Sequence, residues 1–507
     1  MKKVIPFLPL LLVLLTACPK KDDTIDQGSK ATPLVSRFVY DGLSTFYLWA
    51  NTITKEPTSA DENDPKKYFK SLLYPIDTTH GWSWITDDVD ALLADFSGSP
   101  KDFGWSLALY AFQDNSVEGY VKYVFPNTPA ANAGIKRGDV IFSCDGGDIN
   151  INNYTTLFDG NSHDIGVGDP VTKVTRSVRL TPVIIQTNPV LKDTVYKNDA
   201  RFAGKKIGYL FYTDFISNFN NKLYEACTKF KAEGVTDLVI DLRYNHGGHG
   251  QAAAYLASLI APRNVVESRS VFTILNYNDF INSTFDKEGD GRKTYFINSG
   301  DQNPLNVNLN LNKVYIIATD DSYSASELLT FCLKPYMDVV HIGSNTGGKF
   351  TGSFTMHAYN DYDGEVVALY DEGDLTAQEK NKLKNWAMQP IVAKYSDKNN
   401  NDFVNPGYLA PAYPMNVDDV EEDPSIWKPI GDVNDYMLAK AVSLITGLPV
   451  QASAQANTIK RSVHSMKRIS NPADRLKETI RFTAPAKKGF GKELLLKIRQ
   501  EQLSRGF

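Results

Sequence analysis

Asp237-Leu238-Val239-Ile240-Asp241-Leu242-Arg243-Tyr244-Asn245-His246-Gly247-Gly248 is an apolar run that ends in charge and then in paired glycines. Residues 237–242 predict a buried strand, and residues 251–260 behind them a helix. Paired glycines between the two let the backbone approach a ligand closely and leave N–H groups open at the helix start. Outward from this point strands and helices alternate. Residues 206–212 predict a strand, and Phe219, Leu223, Ala226, Cys227 and Phe230 form a helical stripe. Residues 314–318 predict a strand, 327–333 a helix and 339–342 a strand. The alternation argues an α/β unit whose helices cover a largely parallel sheet. Residues 276–312, polar and rich in turn formers, interrupt it as an insertion or long loop.

The second informative stretch is Ser322-Tyr323-Ser324-Ala325-Ser326-Glu327, followed by Gly347-Gly348-Lys349. A serine at a strand-to-helix turn meets the positive end of a helix, which stabilises negative charge. Ser326, directly before Glu327, reads as the helix cap. Together the two stretches resemble the C-terminal processing (tail-specific) serine peptidases. Helical, PDZ-like and peptidase parts follow in that family's order over about residues 34–447, and Gly431-Asp432 fits near the end of the core.

The resemblance implies an α/β catalytic domain that is crotonase-like, with a largely parallel sheet and covering helices, plus a PDZ-like β domain and an N-terminal helical domain. It implies Ser324 as nucleophile, two places before the Ser326-Glu327 dipeptide, and Lys349, 25 residues later, as general base. A lysine base must be neutral, which burial promotes. The N–H of Ala325, with one from Gly247 or Gly248, would hold the oxyanion of an acyl-enzyme reaction. The family usually has glutamine four residues after the lysine, where Ser353 stands here and is expected as the third catalytic residue. His246 replaces the family's proline or glycine and is the alternative base. His246 and His249 lack a third ligand at metal-site spacing, so neither metal nor cofactor is expected.

Thr128-Pro129-Ala130-Ala131-Asn132-Ala133-Gly134-Ile135-Lys136-Arg137-Gly138-Asp139-Val140-Ile141 is similar to a segment of PDZ domains in bacterial proteases. The PDZ-like domain is expected over residues 98–188, with Phe103-Gly104-Trp105-Ser106 as the substrate-binding loop that catches a peptide carboxylate. Leu34, Phe38, Leu43, Phe46 and Tyr47 recur at helical spacing and place a helical domain at 34–97. The peptidase domain is expected at 189–450.

Lys2 and Lys3 precede a short apolar stretch that ends in Leu15-Thr16-Ala17-Cys18, which resembles a bacterial lipobox. That implies a lipoprotein signal peptide at 1–17, lipidation of Cys18, and a polar tether at 18–33. The charged residues after Cys18 resemble an export signal of surface lipoproteins in Bacteroidetes-type bacteria. The chain is therefore expected in the cell envelope, anchored through Cys18 to the outer membrane, on its periplasmic or surface face. The expected activity is serine endopeptidase cleavage of extracytoplasmic proteins near their C-termini, with protein or peptide substrates bearing free C-termini as partners. The alternative is a non-catalytic peptide-binding lipoprotein that keeps the fold; a solute-binding lipoprotein ranks third.

Composition agrees with a folded chain of several domains: 507 residues, 42% hydrophobic and 22% charged. A net charge of −5 gives no reason to expect nucleic acid. Cys144, Cys227 and Cys332 are an odd set at wide spacing, which predicts buried free thiols rather than a disulfide framework. Residues 451–507 hold 13 Lys and Arg against 4 acidic residues. They read as a basic, partly helical tail, able to touch anionic lipid or pack on the body, with the solvated form expected.

Overall fold

The computed structural model describes residues 33–289, 291–450, 466–470, 480–482 and 489–504. The expected signal peptide, Cys18 and the expected tether up to residue 32 lie outside the described residues.

The central sheet runs in the order Val190–Tyr196, Ile207–Tyr212, Asp237–Asp241, Lys313–Ala318, Asp338–Gly343 and Tyr413–Pro414. All neighbours are parallel except the first pair. Side chains alternate across it, as strand geometry requires. Leu210, Tyr212, Leu238, Ile240, Val314 and Ile316 pack on the helices Asn220–Glu233, Gly250–Ile260 and Ala325–Cys332. Tyr209, Phe211, Val239, Tyr315 and Ile317 face the opposite way, onto Met437, Leu438 and Ala441 of the helix Tyr436–Thr446. Helices on both faces explain why these strands read as continuous apolar runs.

The expected insertion at 276–312 has structure of its own. Asn278 accepts from the Ile281 N–H at 3.0 Å and caps the helix Asp279–Glu288, whose Ile281 and Phe285 are buried. Their i,i+4 spacing puts both on one face, a signal hidden among the polar residues. The strand Lys293–Tyr295 follows and pairs with Val271–Tyr277 in a second sheet, ordered Lys293–Tyr295, Val271–Tyr277, Ile391–Ser396, Thr351–Ser353, Ile480–Arg481.

Helices Leu34–Phe46, Pro65–Leu72, Pro75–His80 and Val89–Phe96 fill the expected helical region. Asp64 and Asp88 cap two of them, accepting from Lys67 N–H at 2.9 Å and Ala91 N–H at 3.0 Å. Phe38, Val39, Leu43, Phe46 and Tyr47 bury into the same core as the central sheet, so this region is continuous with the α/β unit. The strand-rich unit has a separate core built on Phe103, Leu107, Val121, Ile141, Ile165 and Val167. Its antiparallel sheet runs Trp105–Phe112, Val117–Val124, Val140–Cys144, His163–Gly168, Thr175–Leu180.

The basic tail does not behave as a solvated appendage where it is described. Met466–Ile469 adds antiparallel to Trp105–Phe112, and Ile480–Arg481 adds parallel to Thr351–Ser353. The helix Phe490–Ser504 buries Phe490, Leu494 and Leu495. Three buried apolar residues on one side of that helix outweigh the charge count that suggested solvation. Cys227 and Cys332 are buried, and burial pushes the Cys227 thiol up to about 12. Cys144 is half-buried, contrary to expectation, because its strand lies at the margin of the smaller core. No helix among the described residues is long and apolar enough to cross a membrane.

Candidate active site

The strand Asp237–Asp241 ends in a buried charge cluster. Arg243 forks onto Asp241 at 2.7 Å and onto both oxygens of Asp435 at 2.8 Å, while the Tyr209 hydroxyl donates to Asp241 at 2.8 Å. Asp435 also caps the helix Tyr436–Thr446 through the Leu438 N–H at 3.1 Å. The Asp-Leu-Arg part of the first motif is therefore a structural anchor. Burial pushes the Asp435 carboxyl up, and the Arg243 guanidinium more than reverses this, so it sits below its ordinary value.

Beyond Arg243 the chain turns back over the strand ends. The Asn245 side chain donates to Tyr212 O at 2.9 Å and accepts from the Gly247 N–H at 2.9 Å. Its carbonyl accepts from the Tyr323 N–H at 3.1 Å and from Ser326 Oγ at 2.9 Å. This corrects two expectations. Ser326 spends its hydroxyl on Asn245 and does not cap the helix; the cap position of Ala325–Cys332 belongs to Ser324. The Gly247 N–H, already bonded to Asn245, is not free to meet an oxyanion. Gly247 is needed for closeness instead. Its φ is +113°, and a Cβ there would lie 2.8 Å from Ser324 Cβ and 3.1 Å from both Ser324 Oγ and the Ala325 nitrogen.

Ser324 sits at φ 64°, ψ −109°. That region is costly for a residue with a side chain and clusters at functional turns. Its hydroxyl is fully buried and has no hydrogen-bond partner among the described residues. A serine that only capped its helix would spend that oxygen on the backbone. The turn has the form of a capping box, and its side-chain hydrogen bond is the Ser324 N–H to Glu327 Oε2 at 2.7 Å.

Glu327 does more than close this turn. The same carboxylate accepts from the Lys349 N–H at 2.8 Å, the Gly348 N–H at 2.8 Å and the Thr346 hydroxyl at 2.5 Å. The Tyr395 hydroxyl bridges the same two residues from their other side, at 2.9 Å from Lys349 O and 3.3 Å from Ser324 O. One buried carboxylate and one buried phenol thus hold the Ser324 and Lys349 backbones together. Sequence reasoning quoted Glu327 only as part of a motif and missed Tyr395.

Burial pushes the Glu327 carboxyl up to about 7, against the pull of its four hydrogen bonds. Between the ordinary value of 4.5 and about 7 the folded chain keeps a proton that the unfolded chain has released. Stability contributed by this group therefore falls as pH rises through that window and levels off above it. Glu327→Gln should remove the slope, read from denaturant titrations of both proteins across pH 4.5–8. Parallel pH curves would show that Glu327 does not titrate there.

Lys349 is fully buried. Burial, helped by the nearby Lys349 and opposed by Asp77, holds the His80 imidazole below its ordinary value. Ser353, also buried, accepts from Gln389 Nε2 at 2.8 Å. Gln389 comes from the strand Ala387–Gln389 and is held by the Thr355 hydroxyl on its Oε1 at 2.7 Å. A glutamine amide therefore reaches Ser353 from 36 positions away in sequence. No local signal predicts it.

His246, the alternative base, meets a lysine and a tyrosine. Its Nε2 lies 3.4 Å from Lys122 Nζ, a buried lysine of Val117–Val124 that also pairs with Asp321 at 3.5 Å, and its ring stacks on Tyr323. His249 is held down to about 3 by burial and by Arg481, with Ser217 Oγ 2.8 Å from its Nδ1. Phe103, Gly104, Trp105 and Ser106 are buried in the strand-rich unit. Gly104, at φ +88°, touches Thr128 so closely that a Cβ would lie 2.2 Å from it, and its N–H is bonded to Asp102. This segment is packed within its own unit. Cys144, Asp145 and His163 lie close enough together to hold a metal, but both His163 ring nitrogens are within 2.9 Å of carboxylates.

Comparison with known proteins agrees with this arrangement. The model of peptidase family S41 matches residues 206–393, and that of the peptidase S41 N-terminal domain matches residues 35–84. A carboxyl-terminal-processing protease of Picosynechococcus sp. is 31% identical over 140 residues, covering 26% of this chain and 33% of that protein. A carboxy-terminal processing protease of Bacillus subtilis is 25% identical over 305 residues, covering 59% and 56%. The chain thus spans less than two thirds of the length of these relatives. A solved structure assigned to the S41 proteases, from Bacteroides fragilis NCTC 9343, superposes with a TM-score of 0.60 at 23% identity, over 83% of this chain and 99% of that one. The two family models match in the expected order, and the longer match holds Ser324, Glu327, Lys349 and Gln389, so the chain resembles peptidase family S41 in both parts.

Proposed function

We propose that this chain is a serine endopeptidase that cleaves extracytoplasmic proteins near their C-termini through a Ser324–Lys349 dyad. The observation that carries the proposal is the Glu327 carboxylate, which accepts from the N–H groups of Ser324 and Lys349 at once. Neutral Lys349 takes the Ser324 proton as Oγ attacks the scissile carbonyl carbon. The carbonyl oxygen becomes the oxyanion, held by the Ala325 and Gly248 amides. Collapse expels the amine, which leaves with the proton from Lys349, and an ester to Ser324 remains. Water, deprotonated by Lys349, then releases the new C-terminus. Gln389, acting on Ser353, supplies the amide that relatives place four residues after the lysine. The reading of the core as crotonase-like and of residues 98–188 as PDZ-like belongs to the same proposal. Its support is the parallel sheet with two helical faces and the separate antiparallel unit packed beside the catalytic loops. The direct test is turnover of a peptide with a free, apolar C-terminus. Hydrolysis by wild type and none by Ser324→Ala supports the proposal; binding without hydrolysis by both supports a non-catalytic peptide-binding lipoprotein.

The Leu15-Thr16-Ala17-Cys18 stretch supports anchoring at the outer membrane. Cys18→Ser should move the protein from the membrane to the soluble fraction on cell fractionation. The same distribution for both forms would remove the lipid anchor from the account.

A further inference from the structure

The tail strand Ile480–Arg481 lies between the two walls of the catalytic cleft. On one side it pairs with Gly352 and Ser353, four residues beyond Lys349. On the other, Arg481 bridges to His249, and its N–H donates to Gly248 O at 3.0 Å. The Phe482 N–H donates to Ser353 O at 3.1 Å, and its buried ring covers Gly250 and Gly352 so closely that a Cβ on either would collide. The Arg481 guanidinium lies 3.5 Å over the Phe96 ring. Earlier in the tail, Met466–Ile469 pairs antiparallel with Trp105–Phe112, register Arg468 to Tyr110. Arg468 pairs with Asp321 and, at 3.5 Å, with Asp320, just ahead of the nucleophile turn. Ser324, Lys349 and Ser353 are all completely inaccessible in this arrangement, whereas a nucleophile must meet an external carbonyl.

We propose that residues 466–469 and 480–482 occupy the peptide-binding edges of this protein as a substrate mimic, and that an incoming polypeptide must displace them. Both segments do what strand addition requires: main-chain hydrogen bonds to an open sheet edge, with side chains in flanking sites. The partner is an extended segment that places a cationic side chain at Asp320 and Asp321 and an aromatic one against Gly250 and Gly352. The inference rests on the peptidase reading above for its meaning, but it is testable without turnover.

A fluorescein-labelled peptide with the sequence of residues 466–482 is titrated into full-length Ser324→Ala protein, with and without the pair Arg481→Pro and Phe482→Pro. Proline removes the two N–H donors that hold the strand. The proline form should bind the peptide at least about tenfold more tightly, since losing one or two such bonds is enough for that factor. A peptide carrying Phe482→Ala should lose about tenfold, because it no longer covers Gly250 and Gly352. Equal binding by both proteins, or none by either, overturns the proposal. Hydrogen exchange on the wild-type chain serves as the second readout and needs no variant. Saturating substrate peptide should speed exchange at the amides of residues 466–469 and 480–482, and unchanged protection there overturns the proposal too. A proline form that binds the peptide yet never hydrolyses one, with Ser324 restored, would sink the peptidase reading and leave this one standing.

Discussion

Ser324→Ala and Lys349→Ala are each expected to lower kcat by about a millionfold, and the double variant to be no worse than either single one. Residues that act as one unit lose their whole joint contribution when either is removed. The structure gives the reason for the coupling. Ser324 and Lys349 are held by one carboxylate, Glu327, and one phenol, Tyr395. Both variants should stay folded, because neither side chain belongs to that clamp; only the two backbones do. Gln389→Ala should act more gently, by about ten- to a hundredfold on kcat, or about 1.4–2.7 kcal/mol. It removes the donor to Ser353 and leaves the dyad in place. Kinetics on one peptide substrate check all of these. Additive losses for Ser324 and Lys349 would mean that they serve separate steps. Unchanged kcat in Gln389→Ala would take Gln389 and Ser353 out of the mechanism.

The second large effect concerns stability. Arg243→Ala should destabilise the fold by about 3–5 kcal/mol, the usual result of stripping the partner from a buried charge. Here two carboxylates, Asp241 and Asp435, would lose it at once. Arg243→Lys should recover little, because an ammonium cannot fork onto both. The Asp435 carboxyl sits below its ordinary value in the folded chain. Its contribution is therefore present above the unfolded value and lost as pH falls through the folded one. Acid should narrow the gap between wild type and Arg243→Ala in denaturant titrations. A gap under about 1 kcal/mol at neutral pH would show that the cluster is not an anchor.

Residues 237–248 made the α/β unit legible because a strand buried on both faces is apolar throughout and its end is marked by charge and glycine. Ser324 and Lys349 were named from a motif and its spacing, and the structure brings their backbones onto one carboxylate; their catalytic roles are part of the proposal. Gln389 was not legible, since it reaches Ser353 from a strand of a different sheet, a contact that no local pattern announces. The cap at Ser326 was misjudged because a local rule was applied to a turn that holds Ser324 at positive φ. The capping contact there runs from the Ser324 N–H to Glu327, and the Ser326 hydroxyl goes to Asn245 instead. The tail was misjudged for a different reason. Its strands are two to four residues long and rich in charge, so their partners, not their own composition, decide that they are strands.

The central claim is that Ser324 is a nucleophile activated by Lys349. The most direct measurement is peptide-mapping mass spectrometry after prolonged incubation with a fluorophosphonate. The account predicts a single covalent adduct on Ser324 in wild type and none in Ser324→Ala or Lys349→Ala. An adduct on another residue, or undiminished labelling of Ser324 in Lys349→Ala, would contradict it.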